Sequence, residues 1–252
     1  MNKLEQGETM IQYQRQDEIL QLLEEQPTMS VKKLAKLLYT SEATVRRDLN
    51  SLERMGLVHR IYGGVVLAKY ANSDMPLFVR KQENAGEKEK IAARAAALIP
   101  EGSSVILDAS STTQHMVRYL TGYKSLTVIT NGLKIAEGFA ESAVKVLCTG
   151  GHYLPENASF VGYQAEEMVK GIRADYFFFS SQGLTEDGEI SDHSEEETAL
   201  RRVMLQRAAQ RIFLCDGSKL GRKCLYNVCH AADLQNIICD QPLPQKILDH
   251  IK

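Results

Sequence analysis

The stretch TSEATVRRDLNSLERMGLVHRIYGG, from Thr40 to Gly64, joins a helical pattern to a strand pattern. Ser41 is a suitable N-cap for a helix over Glu42–Met55, because its side chain can accept a bond from the first turn. After this helix, LVHRIYGGVVL is rich in β-branched and aromatic residues, and Gly63–Gly64 supplies the positive φ angles of a tight hairpin. The helical spacing predicts one buried face, formed by Val45, Leu49 and Leu52.

Two shorter helical patterns come before this stretch. One runs from Arg15 to Glu25, and the other runs from Val31 to Leu38 after Ser30, a second N-cap. Three helices followed by a hairpin are the element order of a winged helix-turn-helix, a DNA-binding domain, which we expect at residues 15–68. Residues 1–14 are polar and are predicted to form an N-terminal extension.

Basic residues are concentrated in the same region. Between Val31 and Lys69 there are eight Lys and Arg against three Asp and Glu, a net charge of +5. The whole chain has a formal net charge of -2, so the remainder carries -7. Because Lys and Arg that neutralise phosphates release condensed counterions, a basic region on an acidic chain indicates a polyanionic partner.

The face of the third helix opposite its apolar residues is basic and suits the major groove. Arg47 can bind guanine through two bonds, and Asn50 can pair with adenine. Two arginines on a helix are also typical of a solvated face, but the helix order, the positive region and the glycine pair together favour DNA. Asp48 lies nearer the packed face and is expected to pair with an arginine of the same chain. The residues predicted to contact DNA are Ser41, Ala43, Thr44, Arg46, Arg47, Asn50, Arg54, Arg60, Tyr62, Gly63 and Gly64.

The remainder of the chain reads as a second domain of a different class. Residues 69–84 have no sustained periodicity and are predicted to be a linker, partly helical at its end, before an α/β domain over residues 85–252. Apolar runs such as VIL, FFF and IFL alternate with helical patterns, which indicates a mostly parallel sheet covered on both faces. The predicted fold class is therefore α/β, with the winged helix-turn-helix followed by a Rossmann-like α/β sandwich. Strands are predicted at Ser104–Ala109, Leu126–Thr130, Lys145–Thr149, Tyr176–Ser181, Arg211–Asp216 and Asn236–Asp240.

Polar and glycine-rich turns follow the predicted strands of this domain. Since parallel sheets bind ligands at the carboxyl ends of their strands, these turns should converge on one crevice. The first turn, DASSTT, joins a strand to a helix N-terminus and suits an anion, although hydroxyl-rich turns are also common helix caps. Lys219 would supply a cation. Candidate ligand-binding residues at these turns are Asp108, Ser110, Ser111, Thr112, Thr113, Thr130, Asn131, Gly150, Gly151, Gly183, Asp216 and Lys219.

Composition excludes several classes of protein. The chain has 252 residues and no apolar run of about 18 residues, and its N-terminus is polar, so we expect a cytoplasmic protein. Its five cysteines contain no CxxC pair, and three of them lie in apolar runs typical of reduced core thiols. Cys224, Cys229 and His230 match no usual zinc spacing, so neither a metal nor a cofactor is expected.

The string SEATVRRDLNSLERMGLVHRIYGG resembles the signature of the DeoR family of bacterial transcription regulators, in which Ser-x-x-Thr-hydrophobic-Arg-Arg-Asp-Leu precedes a wing ending in Gly-Gly. The second domain is similar to the sensor domain of that family, through DASSTT, TN, GG and DGSK. This resemblance implies a fold like that of ribose 5-phosphate isomerase and a phosphorylated sugar as effector. Glu196 and Glu197 match an acidic pair of the family, without the Asn-Pro that usually comes before it.

The two glutamates have different expected roles. Glu196 is a candidate effector-binding residue, whereas Ser194 and Glu197 have the spacing of a capping box. The leading hypothesis is a repressor of a sugar-utilisation operon that binds operator DNA as a homodimer or homotetramer. The alternative is an enzyme, a sugar-phosphate isomerase or acyl transferase with a DNA-binding arm, in which Asp108, Glu196 or Asp216 acts as acid or base.

Overall fold

The computed structural model describes residues 3–26, 28–61, 64–68 and 77–251. Contacts within the chain divide it into two units, Met1–Glu83 and Asn84–Lys252. Among the described residues, no helix combines the length and apolar character needed to cross a bilayer. The N-terminal unit contains α1 (Lys3–Glu25), β1 (Thr28–Ser30), α2 (Val31–Leu37), α3 (Glu42–Arg54), β2 (Val58–Ile61), β3 (Gly64–Leu67) and α4 (Leu77–Gln82).

The N-terminal unit has the winged helix-turn-helix order. Ser30 and Ser41 cap α2 and α3 as predicted, since each hydroxyl accepts a bond from the backbone N–H three residues later. The first helix begins at Lys3 instead of Arg15. Its polar first turns had suggested an extension, but residues such as Glu, Gln and Met favour a helix even when no apolar face is present.

The wing has three strands in the order β1-β3-β2, all antiparallel. The sequence did not reveal β1, because three residues are too few to show an alternating pattern. Gly64 was predicted to have a positive φ, and this is wrong, since it lies in β3 and is not among the glycines with positive φ. A Cβ at Gly64 would lie 2.6 Å from the Met29 carbonyl oxygen, so the glycine permits β1 and β3 to approach closely. Tyr62, Gly63 and most of the predicted linker, residues 69–76, lie outside the described residues.

The C-terminal unit is built on six parallel strands in the order β14-β12-β9-β4-β5-β6. All six correspond to strands predicted from the apolar runs. The remaining strands form a second, antiparallel sheet of β10, β11 and β13 and a hairpin of β7 and β8. The strands are β4 (Ser104–Leu107), β5 (Thr127–Thr130), β6 (Lys145–Cys148), β7 (His152–Leu154), β8 (Ser159–Val161), β9 (Ala174–Phe179), β10 (Gly183–Leu184), β11 (Glu189–Asp192), β12 (Ala208–Cys215), β13 (Tyr226–His230) and β14 (Asn236–Cys239).

Helices cover both faces of the parallel sheet, as expected for strands that are apolar throughout. Alternate residues of one strand enter different cores, and Phe178 packs on one side while Phe177 and Phe179 pack on the other. One core includes residues of α5, α7 and α8, and the other includes residues of α9, α10 and α11. The helices are α5 (Ala85–Ala96), α6 (Ser111–Gln114), α7 (Val117–Leu120), α8 (Leu133–Gly138), α9 (Tyr163–Lys170), α10 (Glu195–Arg207) and α11 (Gln245–Leu248).

The strand order creates one switch point in the parallel sheet. From β4 the chain moves outward to β5 and β6, and it then returns to place β9 on the other side of β4, followed by β12 and β14. In open α/β sheets a crevice forms where the strand order reverses, outside the carboxyl ends of the two central strands. Here those strands are β4 and β9, which end at Leu107 and Phe179.

Candidate DNA interface and candidate effector site

The helix α3 presents one apolar face and one basic face. Its apolar residues Val45, Leu49 and Leu52 are buried, as the helical spacing predicted. On the other side Ala43, Arg46, Arg47, Asn50 and Arg54 are exposed, and Thr44 is half-buried. A helix that is packed on one side and exposes arginines and an asparagine on the other has the form of a helix that enters a major groove.

The wing is joined to this basic face through Arg60. Its guanidinium donates a hydrogen bond to the side-chain oxygen of Asn50, and its backbone N–H donates to Glu53 at 2.8 Å. Arg54 donates to the Asn50 carbonyl at 3.3 Å. Arg60 of the wing therefore lies beside Asn50 and Arg54 of α3 in the N-terminal unit.

Two residues of α3 form ion pairs, one on the exposed face of the helix and one on its buried side. Arg46 pairs with Glu42 at 3.0 Å on the exposed face. Asp48 is 1% exposed and pairs with Arg15 of α1, with the second hydrogen bond at 3.2 Å. This hydrogen bond raises the pKa of Arg15. The prediction that Asp48 pairs with an arginine of the chain is confirmed, and the pair connects α3 to α1.

Asp48→Ala is expected to lower the free energy of unfolding of the N-terminal unit by about 1–2 kcal/mol, because it leaves a partly buried Arg15 without its charge-assisted bonds. Glu42→Ala is the matched control, since it removes an exposed ion pair worth well under about 1 kcal/mol. Hydrogen exchange of α1 and α3 amides in the full chain measures both changes. Equal effects of the two substitutions would contradict the anchoring role of Asp48.

The loop after β4 lies at the switch point, and Asp108 organises it. One carboxylate oxygen accepts bonds from the Ser110 N–H and the Thr113 hydroxyl, at 3.2 and 3.0 Å. The other accepts from the Ser180 N–H of the β9 loop at 3.4 Å and from Arg201 at 2.8 Å. Since both oxygens are already engaged and the residue is buried, Asp108 is placed to hold the two central loops together.

The hydroxyls of this loop serve partly as a helix cap. Ser110 caps α6 by accepting from the Thr113 N–H at 3.3 Å, and the Thr113 hydroxyl bonds to the Asp108 carbonyl at 2.7 Å. The Thr112 hydroxyl donates to Ser180 across the switch point at 3.4 Å. Ser111 is buried on the same turn. Hydrogen bonds therefore tie the loop to the sheet edge.

A buried arginine that the sequence analysis did not single out holds this edge together. Arg201 of α10 is 4% exposed and pairs with three carboxylates, Asp108 at 2.8 Å, Asp192 at 2.9 Å and Glu197 at 3.4 Å. Burial opposes its charge, but the three carboxylates outweigh this effect and raise its pKa. The Arg201 cluster (Arg201, Asp108, Asp192 and Glu197) thus connects α10, β11 and the β4 loop.

The two glutamates at the start of α10 point in different directions. Glu196 is exposed, whereas Glu197 is buried and accepts from the Ser159 hydroxyl at 2.8 Å. The predicted capping box is only half correct. The Ser194 hydroxyl does cap the Glu197 N–H, but the Ser194 N–H donates to Asp192 at 3.3 Å. The carboxylate of Glu197 contributes to the Arg201 cluster because it lies one turn before Arg201 on the same face.

The loops after β5 and β6 border the same edge. Thr130 is buried, and its hydroxyl accepts from the Gly132 N–H at 3.0 Å. The Asn131 amide donates to the Phe160 carbonyl at 3.1 Å, while its buried Oδ1 has no hydrogen-bond partner among the described residues. Gly150 and Gly151 follow β6 with φ of 61° and 114°, and a Cβ at Gly151 would lie 2.5 Å from the Val161 carbonyl oxygen.

The loops after β9 and β12 meet on the other side of the switch point. Lys219 donates to Gln182 of the β9 loop at 3.0 Å. Gly183 begins β10, where a Cβ would lie 2.5 Å from the Arg222 carbonyl oxygen, so this glycine allows close backbone packing. Among the predicted site residues, the β4 and β9 loops are joined through Asp108 and Ser180, and the β9 and β12 loops through Lys219.

Asp216 is the centre of the β12 loop. Its Oδ1 accepts from Asn84 at 3.0 Å and from the Ser218 N–H at 3.1 Å, and its buried Oδ2 has no partner among the described residues. Burial would raise the pKa of this carboxyl, but the Ser218 bond and the charges of Lys219 and Lys88 lower it below its usual value. Lys88 is 2% exposed in the first turn of α5 and was not predicted.

The sequence analysis did not identify Lys88 or Arg201, but helical periodicity could have indicated both. Lys88 is spaced by three, four and seven residues from the buried Ile91, Ala92 and Ala95, so it lies on the apolar face of α5. Arg201 is spaced in the same way from Met204 and Leu205 on α10. A cation on the buried side of an amphipathic helix indicates a buried anionic partner. Elsewhere, the described residues contain no group of three or more His, Cys, Asp or Glu arranged to hold a metal ion.

Two family models match the chain. The model of the DeoR-like helix-turn-helix domain matches residues 15–71, and the model of the DeoR C terminal sensor domain matches residues 83–241. The chain is also similar to ribose 5-phosphate isomerase from Methanocaldococcus jannaschii, with 15% identity over 55% of each chain and a TM-score of 0.42.

Curated relatives cover nearly the whole chain. The HTH-type transcriptional regulator GolR of Listeria innocua is 32% identical over 93% of this chain and 92% of its own length. A putative aga operon transcriptional repressor of Escherichia coli O157:H7 is 30% identical over 95% and 90%. The L-fucose operon activator of Haemophilus influenzae is 32% identical over 92% and 94%. With its basic recognition helix and its α/β unit, the chain belongs to the DeoR family of DNA-binding transcription regulators.

Proposed function

We propose that this protein is a cytoplasmic repressor of a sugar-utilisation operon, bound to its operator as a homodimer or homotetramer and released by a phosphorylated sugar. The observation that carries the proposal is the pairing of two features in one chain. One is the exposed basic face of α3, and the other is a sheet edge that combines two lysines with buried acceptors for which the described part of the chain supplies no hydrogen-bond partner. Relatives named for the aga and L-fucose operons support a sugar as the class of signal.

The acceptors at the sheet edge fit a ligand with both hydroxyl and anionic groups. An unsatisfied buried acceptor costs about 1–3 kcal/mol, so sugar hydroxyls that donate to Asp216 Oδ2 and Asn131 Oδ1 would recover that free energy on binding. Lys219 and Lys88, which both act on Asp216, would favour a phosphate. Asp108 would orient the loop, and Glu196 would remain at the margin of the site.

Release from DNA requires the ligand to favour the weakly binding arrangement of the oligomer. To shift nearly all of the protein into the weakly binding arrangement, the ligand must bind that arrangement more tightly than the other by about 5.5 kcal/mol, which a phosphate and several hydroxyls can supply.

The test is a thermal-shift screen of sugars and their phosphates, followed by operator release measured by fluorescence anisotropy. A ligand at about 100 times its dissociation constant stabilises the protein by about 2.7 kcal/mol. Stabilisation by unphosphorylated sugars alone would contradict the phosphate assignment, and activation of an operon reporter would contradict repression.

Lys219→Ala is expected to raise the sugar-phosphate concentration needed for half-release from the operator by roughly tenfold, because a charge-assisted bond to the phosphate is lost. Lys223→Ala is the matched control, since Lys223 is exposed and pairs with Glu189 at 2.8 Å. Anisotropy titrations of both variants give the comparison. If Lys219→Ala responds like wild type, Lys219 lies outside the effector site.

We infer that the sheet edge binds its ligand without turnover. The carboxylate of Asp108 already accepts from the Ser110 N–H, the Ser180 N–H and Arg201, so it is poorly placed to take a proton from a ligand as a general base. Glu196 is exposed and separate from the Arg201 cluster. Incubation with ribose 5-phosphate is expected to leave the sugar unchanged. Isomerisation that depends on Asp216 would overturn this inference.

A further inference from the structure

Two cysteines lie opposite each other at the ends of neighbouring strands. In the parallel pair of β12 and β14, Cys215 is in register with Cys239, and both are free thiols. Residues in register point to the same face, and neighbouring strands are about 4.8 Å apart. Disulfides join Cα atoms that are about 4.4–6.8 Å apart, so the backbone is already within the required range.

The two thiols also differ in chemistry. The neighbouring Cys215 thiol lowers the pKa of Cys239, and the neighbouring Cys239, together with burial, raises the pKa of Cys215. Cys215 is fully buried, whereas Cys239 keeps 6% of its surface exposed. A thiolate is the form that attacks oxidants, so Cys239 is the thiol that reacts first and Cys215 is the one placed to resolve the product.

We propose that Cys215 and Cys239 form an oxidative modification site, at which hydrogen peroxide converts two thiols into one intramolecular disulfide. The Cys239 thiolate attacks one peroxide oxygen, the O–O bond breaks, and the leaving hydroxide takes up the thiol proton to form water. The sulfur of Cys215 then attacks the resulting sulfenic acid. An S–S bond forms, the S–O bond breaks, and the hydroxyl leaves with the Cys215 proton as a second water.

The disulfide would change the loop that follows β12. At present the Cys215 thiol donates to the Asp216 carbonyl at 3.4 Å, and the Cys239 thiol donates to Asp240 at 3.6 Å. Asp240 also accepts the Gly217 N–H at 2.8 Å. Oxidation removes both thiol donors and fixes the two strand ends together. An altered effector response through Asp216 and Lys219 is a consequence that rests on the proposed function, whereas the modification itself does not.

The test treats the full-length protein with hydrogen peroxide, alkylates the remaining thiols after denaturation, and maps the digested peptides by mass spectrometry. Wild type and the exposed-cysteine control Cys148→Ser are expected to give one cross-linked peptide pair that contains Cys215 and Cys239 and lacks two hydrogens. Cys239→Ser and Cys215→Ala should both lose this pair. Full alkylation of Cys215 and Cys239 after peroxide treatment, with oxidation confined to Cys148, would overturn the proposal.

A second measurement requires no variant and tests the effect on the loop. Hydrogen exchange of the Gly217 amide is expected to slow several-fold in the oxidised protein, because separation of the β12 and β14 ends is needed to open its bond to Asp240. Amides of the β6 loop serve as an internal control and should not change. Exchange at Gly217 that is identical in reduced and oxidised protein would contradict the coupling between the thiol pair and the loop.

Discussion

Replacing Arg201 with methionine is expected to lower the free energy of unfolding of the C-terminal unit by about 3–5 kcal/mol. Methionine keeps an unbranched, flexible apolar stem but leaves Asp108, Asp192 and Glu197 buried without their shared cation. The loss of such a partner costs more than the pair itself contributes, because the remaining charges cannot return to water. Urea unfolding of the full chain, followed by hydrogen exchange of α10 and β4 amides, measures the effect.

Arg202→Met is the matched control for this variant. Arg202 is the next residue on α10, is exposed, and bonds to the Asn227 carbonyl, so its loss is expected to cost less than about 1.5 kcal/mol. The two variants should also differ in pH dependence. In Arg201→Met the three buried carboxylates repel one another without a cation, and protonation removes that repulsion, so the loss of stability shrinks as the pH falls. Two results would contradict the role of the Arg201 cluster. One is an equal loss of unfolding free energy in Arg201→Met and Arg202→Met, and the other is a loss in Arg201→Met that does not change with pH.

Replacing Arg47 with alanine is expected to weaken binding to the operator by about 1–3 kcal/mol, the contribution of a good bidentate contact to a base. The side chain is exposed on the basic face of α3 and has no role in packing the helix, so the fold should be unaffected. Competition anisotropy with operator and random duplexes measures how much more affinity is lost for the operator than for random DNA. The response to the effector should remain intact, because Arg47 belongs to the other unit.

Arg46→Ala distinguishes base contacts from phosphate contacts. Arg46 pairs with Glu42 at the start of the same helix, where a phosphate contact would be independent of sequence. Loss of the Arg46 side chain is expected to weaken binding to operator DNA and to random DNA equally. The salt dependence of the affinity should fall by about the amount that one phosphate contact contributes. If Arg47→Ala shows this uniform loss instead, Arg47 contacts phosphate and the predicted base contact is wrong.

The sequence predicted most of the architecture because the main elements have strong periodic patterns. Continuous apolar strands such as VIL and FFF are unambiguous when helices alternate with them, and all six parallel strands were found. The antiparallel strands other than the wing hairpin of β2 and β3 were missed, and the shortest of them show why. β1 has three residues and β10 has two, so their pairing depends on tertiary contacts that no local pattern records.

For the candidate site, the sequence indicated where the residues lie in the fold better than it indicated what their side chains contact. Hydrogen bonds join the loops after β4, β9 and β12, but Asp108 and Thr113 form bonds within and between these loops. Gly151 and Gly183 are required by close backbone packing. Sequence motifs identify which residues follow the carboxyl ends of the strands, whereas the direction of a side chain depends on partners distant in the chain, such as Arg201.

The most direct test of the account is an anisotropy titration of one full-length sample with operator DNA, repeated with random DNA and with each sugar phosphate from the screen. We expect tight, salt-dependent binding to the operator, with weaker binding to random DNA and loss of the operator preference when one sugar phosphate is added. Equal affinity for both duplexes, unchanged by every sugar phosphate, would contradict two proposals. These are the sequence-specific contacts of the basic face of α3 with DNA, and the regulation of DNA binding by a ligand at the sheet edge.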